Sequence, residues 1–336
     1  MPEGGVVNFL GVFTRTEFWE PSQYESQQYP ANRTVATDYP SADHEYFEWI
    51  AVLEAVLSAR DSFSMIDLGA GWGRWGVNAA VALSHCGALP FTCIEVEAEP
   101  THFRWMAQHI ADNHLNPENF RLIESAVASI DGSISFQVGD TKRGSPANWY
   151  GQSIGGDHVV KAVSLNTLLQ PLTVVDLVDL DIQGAEMEVL SSSADELDEK
   201  VKRVHVSTHG PQIEEGLRSL FSRLGWTSID LYPGSSTLET PWGRICQTDG
   251  IQTWANPTFS NSARATVLSE KLRACRSEAE RLWVELQKAR DDQNRFLLTQ
   301  KSAAWKMIER GKRLRDRLAP HGSRRRKIAD SIAGKL

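Results

Sequence analysis

Apolar positions along this chain change their period several times, and the changes mark its elements. From Tyr46 to Ala59 the apolar residues Tyr46, Phe47, Ile50, Val52, Leu53, Val56 and Leu57 recur at helical spacing. Short apolar runs follow at Ser64–Leu68, Phe91–Glu97, Phe120–Val127, Val174–Asp181 and Val201–Ser207, and predict five strands. Between and after them, residues 74–83, 101–113, 184–191 and 211–224 have helical patterning, the last stopping at Gly225. A β-ribbon is expected over Ser133–Val138, and the stretch to Pro257 is rich in strand and turn residues. Strands alternating with helices predict an α/β fold with a doubly wound, mainly parallel, Rossmann-like sheet over residues 45–258.

The two ends differ from this body. Residues 1–44 are polar and aromatic, with Phe18, Trp19, Tyr24, Tyr29 and Tyr39 but no period, and read as an irregular arm or lid. Over 262–318 a long helix is expected. Leu268, Leu272, Cys275, Ala279, Leu282, Leu286 and Ala289 alternate spacings of four and three, a heptad seam. Such a helix can pair with a second copy as a coiled coil or dock on its own domain. Residues 319–336 form a basic tail.

Charge sharpens the division. The last 36 residues hold 12 Lys and Arg against 3 Asp and Glu, so a chain of net −8 carries −17 over its first 300 residues. An acidic body argues against a nucleic-acid substrate. The basic amphipathic end, with Trp305-Lys306-Met307-Ile308 and Arg324-Arg325-Arg326-Lys327, suits an anionic membrane surface or an acidic partner. No apolar run approaches the ~18 residues of a membrane span. The start lacks the basic run of a signal peptide. The four cysteines are scattered with no C-x-x-C, so neither disulfides nor zinc are expected and a reducing cytoplasm fits.

The chemistry concentrates in three places. Asp67-Leu68-Gly69-Ala70-Gly71-Trp72-Gly73 joins a strand to a helix by a glycine turn, the architecture of a nucleotide-cofactor cradle. Gly71 to Gly76 also satisfies the dinucleotide pattern G-x-G-x-x-G. Asp67 at the strand end would repel a diphosphate and suits the cationic methionine end of S-adenosylmethionine (SAM). The turn therefore favours SAM over a nicotinamide dinucleotide. Glu97, at the end of the second strand, is the expected ribose ligand, with Glu95 in reserve. Second, Asp179 and Asp181 share a strand face, with Asp181 at the carboxyl end and Glu186 at the following helix start. Helix capping and dipole compensation are the bland alternative for this pair. Third, His209 closes the fifth strand and could take a proton, whereas His205 lies mid-strand and reads as structural. Trp149, Tyr150 and Gln152 form a polar-aromatic loop able to stack on a ligand.

Asp67–Gly73, the E-x-x-P of Glu97–Pro100, Ala126-Val127, Trp149-Tyr150-Gly151-Gln152, Asp181-Ile182-Gln183-Gly184-Ala185-Glu186 and Thr208-His209 together resemble the FkbM family of SAM-dependent methyltransferases, from about Asp43 to Pro257. Gln183 stands where that family usually has Glu. The resemblance implies a class I methyltransferase fold and methyl transfer to a hydroxyl oxygen of a sugar, glycolipid or polyketide. The Ser302-x-x-Trp305-Lys306 tail looks like those of bacterial surface-glycan enzymes, so a sugar or lipid-linked glycan acceptor is expected, at or near the inner membrane face. In this scheme Gly69, Gly71 and Gly73 cradle SAM, Asp67 orients its methionine end, Glu97 its ribose, and Ser125 and Ala126 border adenine. His209 or Asp181 is the base. Trp149, Tyr150 and Gln152 contact the acceptor, and Asp181 and Glu186 are the ligands should a divalent metal assist. A nicotinamide oxidoreductase and a coiled-coil scaffold on a degenerate domain are the competing readings.

Overall fold

The computed structural model describes residues 4–19, 37, 39, 40, 45–87, 89–137, 155, 156, 158–240, 243–260 and, farther on, 281, 285 and 288. Two compact units divide the chain, residues 1–271 and 272–336. In the second, Arg281, Glu285 and Lys288 are helical and exposed. The heptad positions themselves, Leu282, Leu286 and Ala289 among them, lie outside the described residues, as does the basic tail.

The first unit begins with a hairpin, β1 (Gly5–Val7) and β2 (Phe13–Arg15), where an irregular arm was expected. Asn8 makes the connection by accepting the Leu10 and Val12 N–H groups on its side-chain oxygen. Then come α1 (Tyr46–Ser58), β3 (Phe63–Leu68), α2 (Arg74–Cys86), β4 (Phe91–Glu97) and α3 (Pro100–Asp112). Arg15 pairs with Asp112 at 2.6 Å, and Asn113 caps the Phe13 backbone with both its amide groups, so the hairpin is anchored on α3.

The expected strand Phe120–Val127 is two strands, β5 (Phe120–Glu124) and β6 (Ala126–Ala128), broken at Ser125. Then follow β7 (Gly132–Phe136) and β8 (His158–Ser164), which join β6 in a separate three-stranded sheet. The chain continues through α4 (Leu165–Leu169), β9 (Leu177–Leu180), α5 (Glu186–Ser192), α6 (Ala194–Lys200), β10 (Arg203–Thr208) and α7 (Pro211–Arg223). It closes with β11 (Thr227–Tyr232), a hairpin of β12 (Ser236–Thr240) and β13 (Gly243–Gln247), β14 (Gly250–Ala255) and a short α8 (Pro257–Ser260).

The main sheet has seven strands in the order β11-β14-β10-β9-β3-β4-β5. Pairing is parallel from β5 through β10, and β14 runs antiparallel to both its neighbours. Strands buried on both faces need apolar residues at nearly every position, and β3 and β9 comply. Ile66, Leu68, Val178 and Leu180 pack with Val189, Leu217 and Phe221 on one face. Phe63, Met65 and Leu177 pack with Val52, Val56, Val77 and Leu83 on the other. Each such buried side chain contributes roughly 1.5–3 kcal/mol. Chain order reverses between β3 and β9, and open α/β sheets bind ligands at the carboxyl ends of strands flanking such a point.

One row breaks the apolar rule. Glu95, Asp67, Asp179, His205 and Thr253 are direct register partners across β4, β3, β9, β10 and β14. All five are buried, so one band of the core is polar.

Candidate active site

A cleft lies at the carboxyl ends of β3, β4 and β9. Its floor is the glycine turn. Gly69 takes φ +82, and a Cβ there would overlap the Asp181 carbonyl, so only glycine permits this approach of turn to strand end. Four of the five N–H groups of the Gly69–Gly73 turn are already engaged. Gly69 and Ala70 donate to the Val96 carbonyl at 3.0 Å, Gly71 to Glu97 Oε2 at 2.8 Å, and Gly73 to the Ala70 carbonyl at 2.8 Å. A pyrophosphate needs those donors free. Here they are spent on the Val96 and Ala70 carbonyls and, at Gly71, on the Glu97 carboxylate at the cleft wall, which opposes dinucleotide binding.

Glu97 is fixed by that bond and by the Glu99 N–H at 2.7 Å. Burial lifts its carboxyl to about 7, against the lowering effect of these two donors. Val96, Ser125, Ala126, Val127 and Phe136 wall the far end of the cleft with mostly apolar surface, as a purine requires. Ser125 reaches this position because the β5–β6 break turns the chain over the end of β4, with the Ser125 N–H on the Glu97 carbonyl. His102, which the sequence did not single out, completes this wall. It stacks on Trp105 at 5.4 Å.

Other candidates fall elsewhere. Asp67 does not line the cleft. It is 2% exposed within the polar row, and its carboxyl is held well above the usual range by burial and by Glu95, Glu97 and Asp181. Glu95 lies beneath the start of α2, under Gly73 and Gly76, out of reach of a ribose. Gly73 shapes the turn at φ +72 without lining the cleft. Trp149, Tyr150 and Gln152 lie outside the described residues.

Burial lifts Glu95 to about 8, so its ionisation opposes folding. The fold is favoured below pH 4.5, where the carboxyl is neutral in both states, and loses that advantage as pH rises through 8. Glu95→Gln should therefore match the wild-type melting temperature at pH 5 and exceed it by about 5 °C at pH 9. Identical melting curves at both pH values would contradict the assignment.

At the other end of the cleft stands Asp181, just beyond β9. Its Oδ1 accepts from Gln183 Nε2 at 3.1 Å, and 54% of its side chain is open to the cleft. Loss of hydration lifts its carboxyl to about 6, and His209 works to lower it. His209 follows β10 and lies behind Asp181, its Nε2 3.4 Å from Asp181 Oδ1 and 3.9 Å from Asp249 Oδ1. Its Nδ1 is 2.6 Å from Glu186 Oε1. Burial lowers the His209 pKa, but the Glu186 bond and the charges of Asp181, Glu186 and Asp249 outweigh it, and the net shift is upward.

Two expectations need correction. Asp181 caps no helix, since the residue before α5 is Ala185 with no side-chain cap. Nor do Asp181 and Glu186 converge on a metal site. They approach opposite nitrogens of one imidazole, and among the described residues no group of three His, Cys, Asp or Glu side chains is placed to hold a metal ion.

Sheet order, glycine turn and strand-end carboxylate make a methyltransferase-like α/β fold. Residues 67–224 match the model of the methyltransferase FkbM domain. A curated relative from Jannaschia sp. (strain CCS1), described as "Putative methyltransferase", is 27% identical over 271 residues, covering 76% of this chain and 94% of the relative. Among solved structures, the methyltransferase FkbM from Methylobacillus flagellatus KT aligns with TM-score 0.40 and 12% identity over 58% of this chain and 44% of that one. The chain thus spans less than half the length of that structure. M. capricolum TrmK in complex with S-adenosyl-homocysteine aligns with TM-score 0.35 and 7% identity over 61% of this chain and 67% of that one. The domain implies SAM as methyl donor. Among the described residues no helix is long and apolar enough to cross a membrane.

Proposed function

We propose that this protein is a SAM-dependent O-methyltransferase acting on a sugar hydroxyl in the synthesis of a surface glycan. The observation that carries the reading is an acid–base pair, Asp181 and His209, beside the cofactor cleft at the switch point. A neutral hydroxyl is a poor nucleophile and needs a base within ~3 Å, whereas a thiol or amine needs one less. Bound SAM supplies a sulfonium-activated methyl group. That methyl would be open to attack by the acceptor oxygen, and this chain's part would be to take the hydroxyl proton at Asp181 or His209. In-line placement supplies much of the rate.

In this reading Glu97 would hold the ribose, Ser125 and Ala126 would border the adenine, Gly69 and Gly71 would lie against the rest of the cofactor, and Trp149, Tyr150 and Gln152 would meet the acceptor. The test is a screen of nucleotide sugars and lipid-linked glycans with methyl-labelled SAM and the full chain. Label on a sugar oxygen supports the proposal. Label only on nitrogen or sulfur acceptors overturns it.

The acidic body and basic end also favour a partner at an anionic membrane surface, with the heptad helix pairing two copies. Removing residues 301–336, which carry +9, is expected to cut binding to anionic liposomes at least tenfold in a sedimentation assay, at ~1 kcal/mol per basic residue near such a surface. Equal binding by the truncated and full chains would remove the membrane partner from the account.

A further inference from the structure

Behind the cleft, a line of three side chains runs from solvent into the core. Asp181 is open to the cleft, His209 is mostly covered at 16% side-chain exposure, and Glu186 is fully buried. Glu186 Oε1 sits 2.6 Å from His209 Nδ1 and also accepts the Gly184 N–H at 2.9 Å. The same oxygen thus ties the imidazole to the turn, Gln183 at φ +55 and Gly184 at φ +108, that carries the chain away from Asp181. His209 Nε2 is left facing Asp181 Oδ1.

We propose that Glu186 is a positioning residue: by holding His209 through Nδ1 it keeps an imidazolium against Asp181, so that Asp181, the group that faces the acceptor, stays ionised as the base. The inference rests on the proposed methyl transfer to a hydroxyl and says which member of the pair touches the substrate.

The charges support the geometry. A carboxylate at each ring nitrogen favours the doubly protonated imidazole, because either neutral tautomer would leave one lone pair against an anion. Among the described residues the titratable groups that act on this ring are acidic: Glu186 from α5, Asp181 from the end of β9 and Asp249 from the turn before β14. Asp181 in turn feels Asp249 and Glu186, which raise its pKa, and His209, which lowers it. It also acts on Glu48 of α1 and on Asp67. Among these neighbours the His209 imidazolium is the cation that can keep Asp181 ionised. When the acceptor's hydroxyl proton moves to Asp181, the carboxyl formed still has the imidazole behind it, and Glu186 remains in place to hold that ring.

Histidine-labelled full-length protein tests this without any acceptor. His209 is assigned by the loss of its imidazole signal in His209→Gln, and its ring nitrogen shifts are followed by NMR from pH 5 to 9. In the wild type the shifts should report imidazolium at pH 7, and Glu186→Gln should lower the His209 pKa by about one unit or more, with Glu186→Asp restoring part of the loss. A wild-type His209 that is neutral at pH 7, in either tautomer, overturns the proposal even if the Glu186 variants fail to fold. So does a Glu186→Gln titration curve that coincides with the wild type. Titrating SAM into the same wild-type sample tests the cofactor reading by itself, so the two ideas fail separately.

Discussion

Arginine in place of Gly71 is expected to raise the Kd for SAM by more than 100-fold while lowering the melting temperature by only a few degrees. Gly71 lines the cleft, takes φ +57 and donates its N–H to Glu97. A side chain at this position enters the volume the cofactor needs. The left-handed conformation costs a non-glycine residue about 1–2 kcal/mol, which a domain of this size tolerates. The fold should therefore survive while the cleft is filled. Calorimetric titration of the variant checks the affinity, and its thermal melt checks the fold. Wild-type affinity would remove the glycine turn from the cofactor site.

The second large effect is expected at Asp181. Asp181→Asn keeps the shape of the cleft and removes the base, so methyl transfer to a hydroxyl acceptor should fall 10²–10⁴-fold, with the Kd for SAM changed only a few-fold. His209→Ala should fall less, since in the proposed line it acts through Asp181. The pH dependence follows from the direction of the Asp181 shift. A base must be ionised, and its carboxyl, at about 6, gains a proton as pH falls. Turnover should therefore decline below about pH 6, and the Asn variant should lose that limb. Single-turnover rates across pH 5–9 decide the matter. A normal rate in Asp181→Asn, with His209→Ala inactive, would transfer the role of base to His209.

Much of this was legible in the sequence because glycine spacing and strand ends are local signals. Asp67–Gly73 reported a strand and a turn that only glycine can make, and Glu97 reported itself by closing an apolar run before Pro100. What the sequence did not show is which acids meet. Asp67 and Glu95 have the face parity of cofactor ligands, yet the register of β3 against β4 and β9 places them one step too deep, in the buried row. Glu186 carries a helix-start signature, but its partner His209 is 23 residues away and is brought to it only by the β9–β10 pairing. The Ser125 break was hidden because Phe120, Leu122, Ile123, Ala126 and Val127 on either side of it read as one strand. Only the departure of β6 to a second sheet interrupts it. The β1–β2 hairpin was invisible for a similar reason: two three-residue strands are too short to show a period, and their anchors on α3 are about 100 residues away.

The central claim is a SAM cleft built on a glycine turn most of whose donors are already spent. Calorimetric titration of the full chain with SAM, with NADH as the parallel ligand, tests it most directly. Saturable binding of SAM and none of NADH is the predicted result. Saturable NADH binding without SAM would contradict the account and return the nicotinamide reading.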